Sequence, residues 1–221
     1  SSAASDVYKR QLQKRAPISF ELLAVTVNPH IPQFPAETLR AYFEAEGVPY
    51  HIEDQDIYSI IQKLIPEGKS VCSLCARLRR GVLYRLAGEL GCTKIALGHH
   101  YDDAVETLFM SLIFEGRLSC FQPVTWLDRM GITQIRPMLY CGEQMVRHTA
   151  QRLALPVVEN PCPANGNTKR QEIKELIYEL NGRYPGLKSR AFGAMQRLPL
   201  PAWGPVEHRR RPLPEEPEDF Q

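Results

Sequence analysis

The sequence predicts an α/β fold, a Rossmann-like doubly wound parallel sheet closed by C-terminal helices. Three observations predict it. Short apolar, β-branched runs alternate with stretches of helical spacing as far as Val158. The junctions carry Gly or Asn-Pro, the residues that stop strands and helices. Beyond Thr168 the alternation gives way to helical spacing alone.

Taken in order, Phe20 to Val27 (FELLAVTV) is apolar, halts at Asn28-Pro29 and reads as a buried strand. Ala36 to Glu46 spaces Leu39, Tyr42 and Phe43 along one helical face and ends at Gly47, after which Val48 to Ile52 is extended, completing a strand–helix–strand unit. Leu74 to Leu90 places Leu78, Val82, Leu86 and Leu90 at helical intervals before Gly91, and Lys94 to Leu97 is a short strand. Tyr101 to Phe114 is the next helix, Gln134 to Pro137 a strand, Glu143 to Leu153 a helix, and Pro156 to Val158 extended. Pro161 to Thr168 is a Pro/Gly/Asn loop, followed by helices over Arg170–Leu180 and Leu187–Leu198. These divisions give an atypical N-terminal segment (1–19), one α/β domain (20–198) and a proline-rich tail (199–221) expected to be disordered.

Composition narrows function without naming it. With 221 residues, 43% hydrophobic and 24% charged, the chain is long enough to bury its own core, and no apolar run reaches bilayer length. A formal net charge of +2 does not declare a nucleic-acid binder, because only the clustering of Lys and Arg decides that. No charged segment followed by an apolar run opens the chain, so a reducing cytoplasm is expected and the six cysteines are not read as disulfides.

Two motifs carry chemistry. Gly98-His99-His100-Tyr101-Asp102-Asp103 falls where a strand turns into a helix, the edge at which open α/β sheets bind ligands. Gly98 permits close backbone approach, the helix start attracts phosphate, and Asp102 and Asp103 can face a divalent ion on a polyphosphate. The plainer reading is a helix cap at Asp103. Cys72-Ser73-Leu74-Cys75 opens the longest helix, where the dipole favours thiolates; the spacing alone also fits a redox dithiol or half a zinc site. Cys162, in the loop Asn160-Pro161-Cys162-Pro163, has no hydrophobic reason to be there and supplies a third thiol. Cys92, Cys120 and Cys141 read as small apolar residues. Arg77, Arg79, Arg80 and Arg85 follow the Cys pair, and Lys169 and Arg170 follow Cys162; Arg77, Arg80, Lys169 and Arg170 are the candidate phosphate contacts for a nucleic acid.

The run CSLCARLRRGVLYRLAGELGCTKIALGHHYDDAVETLF, with IRPMLY, NPCPANGNTKRQ and RYPGLKSRAFGAMQ, closely resembles the TtcA-like tRNA 2-thiocytidine synthetases of the PP-loop ATP pyrophosphatase superfamily, from Phe20 to Gln196. The resemblance implies an adenine nucleotide alpha-hydrolase-like fold and an ATP-dependent tRNA sulfurtransferase. In that family the C2 oxygen of a cytidine in the tRNA anticodon loop, cytidine 32, is adenylated and then replaced by sulfur. It further implies a [4Fe–4S] cluster on Cys72, Cys75 and Cys162, with one iron open to sulfide, and ATP with Mg2+ near Gly98, His99, Asp102 and Asp103. Asp103 and the three cysteines are its catalytic positions, tRNA its substrate, a sulfur donor such as a cysteine desulfurase its partner, and a homodimer its possible assembly. The family's Ser-Gly-Gly-Lys-Asp-Ser phosphate loop has no match in Ser1–Arg10, which contains no glycine, so the chain as given is not expected to hydrolyse ATP. A uridine thiolase and a non-catalytic tRNA- or metal-binding module are the alternative readings; no second C-x-x-C supports the former.

Overall fold

A computed structural model describes residues 17–66, 71–158, 161–163, 166 and 168–197, together with Arg15. Ser1–Arg10 and the tail at 199–221, for which expectations were given above, lie outside the described residues.

The first unit is strand, helix, strand. Strand β1 (Ala24–Asn28) lies parallel to β2 (Tyr50–Asp54), and α1 (Ala36–Ala45) crosses between them. Gly47, at φ +58, takes the left-handed turn that brings the chain from α1 back into β2, a conformation a side chain would strain. Leu39 and Phe43 of α1 bury against Val48, Ala24 and Tyr50, so the helix covers one face of this pair.

Helix α2 (Ile57–Leu64) was not expected. Its signal is nevertheless present: Asp56 caps it by accepting from Ser59 N at 3.1 Å, and Ile57 and Ile61 stand one turn apart on the buried side. They pack with Cys75 of α3 (Cys72–Glu89), the longest helix among the described residues. The Cys pair therefore occupies the first turn of α3, as the sequence predicts.

The second sheet runs in the order β3 (Lys94–Ala96), β5 (Ile132–Ile135), β4 (Val124–Leu127). Strands β3 and β5 are parallel, and β4 returns antiparallel on the outer side of β5. Among the described residues the strands thus form a two-stranded and a three-stranded sheet, the α/β layering expected with an antiparallel edge added. Four residues beginning with an exposed Val124 gave β4 too short an alternation to be seen in the sequence.

Helix α4 (Tyr101–Glu115) follows β3 directly, α5 is Glu143–Arg152, α6 is Lys169–Arg183 and α7 is Leu187–Gln196. Ala104 and Val105 of α4, Leu139, Ile173 and Ile177 of α6 and Phe192 of α7 make one apolar cluster. Burying such side chains contributes about 1.5–3 kcal/mol each. That cluster fixes the C-terminal helices against the start of α4, and so builds the site.

Candidate functional site

The chain leaves β3 through Leu97, whose amide still pairs with Ile135 O at 2.9 Å, and reaches α4 over Gly98, His99 and His100. His100 is the N-cap: its Nδ1 accepts from Asp103 N at 3.4 Å, and Asp103 Oδ2 accepts from His100 N at 2.9 Å. This is a capping box with histidine where Ser or Thr is usual. The cap expected of Asp103 is therefore present, and the same side chain also lines the cleft described below.

Asp102 faces inward. Its Oδ2 accepts from Glu143 N at 2.7 Å, capping the start of α5, and its Oδ1 accepts from Lys188 Nζ at 2.8 Å. Burial alone would raise the Asp102 pKa; Lys188 and the Glu143 amide outweigh it and hold the carboxyl below its ordinary value. Both oxygens are engaged inside the protein, so Asp103 is the carboxylate of the pair that opens to the cleft.

That cleft, about 220 Å3, lies between the first turns of α4 and α6 and is lined by His100, Asp103, Glu106, Glu143, Arg170 and Lys174 among others. Arg170 Nη1 donates to Glu106 Oε2 at 2.9 Å and stands 3.5 Å from Asp103 Oδ1, and Nη2 donates to Thr107 Oγ1 at 3.3 Å. Glu106 is only 6% exposed; burial pushes its carboxyl above the usual range against the pull of Arg170. Lys174 Nζ donates to Glu143 Oε2 at 2.7 Å; burial would raise Glu143, but Lys174 and Arg147 together keep it low. Every described charge in the cleft wall has a partner of opposite sign. A phosphate entering there would exchange carboxylate for phosphate at Arg170 and Lys174, a substitution the guanidinium fork of Arg170 accepts without new geometry.

His99 flanks this arrangement from the sheet side. Its ring lies 4.8 Å from Phe121, burial lowers its pKa against the attraction of Asp103, and its Nδ1 is buried with no hydrogen-bond partner among the described residues. A neutral imidazole with an unspent nitrogen can donate to or accept from a bound group.

The cysteines are placed differently. Cys72 is exposed at the first position of α3, Cys75 is buried against Ile57 and Ile61, and Cys162 is half-buried. None of the six forms a disulfide, so the donor chemistry of a cluster is available. The geometry is not assembled: among the described residues no three His, Cys, Asp or Glu side chains stand close enough to hold one metal ion. Cys72, Cys75 and Cys162 accordingly form no such group among the described residues. Of the predicted phosphate contacts, Arg77 and Arg80 are exposed on α3, whereas Arg170 is held by Glu106, and Lys169 pairs with Glu172 at 2.8 Å and lies over the Phe114 ring.

Sequence reasoning missed Glu106, Glu143, Lys174 and Lys188. Glu106 is one turn from Asp103 on α4, and a charged residue amid Ala104, Val105 and Leu108 is the signal that could have found it.

The family model of the PP-loop domain matches residues 11–180. The chain belongs to the PP-loop domain family. This PP-loop domain is 45% identical over 188 residues to the tRNA-cytidine(32) 2-sulfurtransferase of Dechloromonas aromatica, covering 85% of this chain and 66% of that one. It is 45% identical over 199 residues to the protein of the same name from Burkholderia cenocepacia, covering 90% of this chain and 60% of the other. The chain thus spans about three fifths to two thirds of the length of these relatives. In solved structures it is similar to the U34-tRNA thiolase NcsA from Methanococcus maripaludis with its [4Fe-4S] cluster, at TM-score 0.70 and 24% identity, covering 89% of this chain and 67% of that one. At that identity the likeness bears on the fold, which is α/β with parallel strands and flanking helices in both the expectation and the structure. No helix among the described residues is long and apolar enough to cross a membrane.

Proposed function

We propose that this PP-loop domain acts in the ATP-dependent 2-thiolation of cytidine 32 in the tRNA anticodon loop. One observation carries the reading: identity of about 45% to tRNA-cytidine(32) 2-sulfurtransferases over 85% of the chain, a span that includes the Cys pair, the Gly98–Asp103 junction and the cysteine loop.

The reaction fits the chemistry of the junction. The cytidine C2 oxygen attacks the α-phosphorus of ATP, pyrophosphate leaves, and the adenylated oxygen departs as AMP when sulfur attacks the same carbon. An amide-like oxygen is a poor leaving group, and adenylation removes that barrier. Gly98, His99 and Asp103 face the nucleotide, with Mg2+ carried on the phosphates; Asp102 supports them from behind through its contacts to α5 and Lys188. Arg77 and Arg80 hold tRNA phosphates, and Lys169 and Arg170 join them by exchanging their carboxylate partners. On the sequence pattern Cys72, Cys75 and Cys162 would hold a [4Fe–4S] cluster, a group that would supply an open iron to bind sulfide. A reducing cytoplasm, a cysteine desulfurase as sulfur source and a homodimer complete the reading.

The test is iron, sulfide and zinc content after anaerobic purification and reconstitution, with the visible spectrum. The reading expects about four irons and a broad charge-transfer band, lost in Cys162→Ala while the fold persists. Zinc without iron would overturn it and favour a structural metal site in a tRNA-binding module.

A further inference from the structure

The end of α6 and the length of α7 carry arginines that have no carboxylate partner among the described residues. From residue 180 to residue 197 the sequence has Arg183, Lys188, Arg190 and Arg197 and no Asp or Glu. Lys188 is taken by Asp102 at 2.8 Å. The three arginines are exposed, and among the described residues none of them pairs with a carboxylate, whereas Arg85, Arg147, Lys169, Arg170 and Lys174 all do.

Their placement is ordered. Arg190 and Arg197 are seven residues apart, two turns of helix or about 10 Å along one side of α7. Each lies back over a glycine on that side: a Cβ at Gly186 would stand 3.1 Å from Arg190 Nη1, and one at Gly193 would stand 3.3 Å from the Arg197 guanidinium nitrogens. The glycines thus leave a shallow floor along which two planar cations lie. Arg183, at the end of α6, covers the ring of Tyr184 at 5.5 Å, and Tyr184 is half exposed. Like charges so gathered repel one another, and a surface of this kind gains most from a polyanion. Guanidinium forks match phosphate oxygens, and an exposed aromatic offers a face on which a base can stack; an acidic peptide would use the charges but not the ring.

The patch lies on the side of α7 turned away from the candidate site, since Arg190 stands two residues from both Lys188 and Phe192, about 200° round the helix from each. The Lys188–Asp102 contact joins α7 to the first turn of α4, and the Tyr101 and Phe192 rings meet at 4.7 Å beside it. We propose that the exposed arginines Arg183, Arg190 and Arg197, with Tyr184, dock an RNA phosphate backbone. The identity of that RNA as tRNA rests on the thiolation reading; the surface itself does not.

The experiment measures binding of an unmodified tRNA transcript to the full chain across a salt series, for wild type, the triple variant Arg183→Gln/Arg190→Gln/Arg197→Gln, and the triple Lys variant at the same positions. Loss of three phosphate contacts should weaken binding at least tenfold and reduce the slope of log K against log salt by about 2–3, while the Lys variant retains the slope. Unchanged melting temperatures would show that all three proteins are folded. Equal affinity and slope for wild type and the Gln variant would overturn the surface but leave the thiolation reading intact. Wild type that binds no tRNA would overturn both. Competition by polyglutamate as effective as competition by tRNA would overturn RNA as the occupant.

Discussion

Asp102 and Glu106 show how similar carboxylates on one helix acquire opposite electrostatic characters. Asp102 has two donors and a depressed pKa; Glu106 has one guanidinium, deeper burial and a raised one. A depressed carboxylate contributes stability above its unfolded pKa and loses it as pH falls through the folded value. Asp102→Asn should therefore cost about 2–4 kcal/mol in urea unfolding at pH 7, with the deficit shrinking at acid pH below the ordinary Asp range. Lys188→Met should produce a smaller loss at pH 7, since Lys188 is a third exposed. A raised carboxylate works the other way: the folded state favours its proton, so the penalty for charging appears as pH climbs from the ordinary Glu value through the raised one. Glu106→Gln should accordingly gain on wild type as pH rises, by about 1 kcal/mol between acid and mildly alkaline unfolding curves. A Gln variant whose relative stability grows toward acid would contradict the assignment of burial as the dominant influence on Glu106.

At the scale of elements, the parts legible in the sequence were those whose pattern is local. Helix α4 is announced by Gly98-His99-His100 and Asp102-Asp103, and the Cys pair begins α3, as expected. The strand over Lys94 fell within one residue of its expected bounds, whereas others shifted: the run expected from Phe20 becomes β1 only at Ala24, and the strand expected over Gln134–Pro137 is Ile132–Ile135. Apolar side chains there mark burial, whereas pairing is decided by the neighbouring strand. Extension at Pro156–Val158 forms no described strand, and Val158 instead packs on Leu39, Phe43 and Val48. The candidate site was legible in its motif residues but not in the partners that α5, α6 and α7 bring, because Lys174 and Lys188 meet their carboxylates 31 and 86 residues away in sequence. The tertiary contact that seats α6 should be sensitive: Ile177, 2% exposed in the cluster with Val105 and Phe192, should cost about 2–5 kcal/mol on truncation to Ala, read as a lowered urea midpoint. A change under 1 kcal/mol would mean that α6 is held mainly by its ion pairs to Glu106 and Glu143.

For the molecule as a whole, the α/β frame brings one strand-to-helix junction, one polar cleft and two sets of exposed arginines onto a PP-loop domain. Under the proposed function the cleft's paired charges meet a nucleotide phosphate and the exposed arginines of α7 an RNA backbone, on two separate substrates. Membership of the family was legible from motifs spread between Cys72 and Gln196, and residues of those from Tyr101 onward pack together in the apolar cluster on α4. The cysteine set is the exception: its spacing is clear in sequence, but no metal-sized group of ligands is gathered among the described residues. The most direct measurement is mass analysis of the nucleosides of an unmodified tRNA transcript after anaerobic incubation with ATP, Mg2+, sulfide and the reconstituted chain fused behind a Ser-Gly-Gly-Lys-Asp-Ser phosphate loop, the motif that has no match in Ser1–Arg10. The account predicts 2-thiocytidine, carrying one sulfur in place of one oxygen, formed only when ATP is present. Cytidine that stays unaltered under those conditions, or sulfur found on uridine instead, would contradict it.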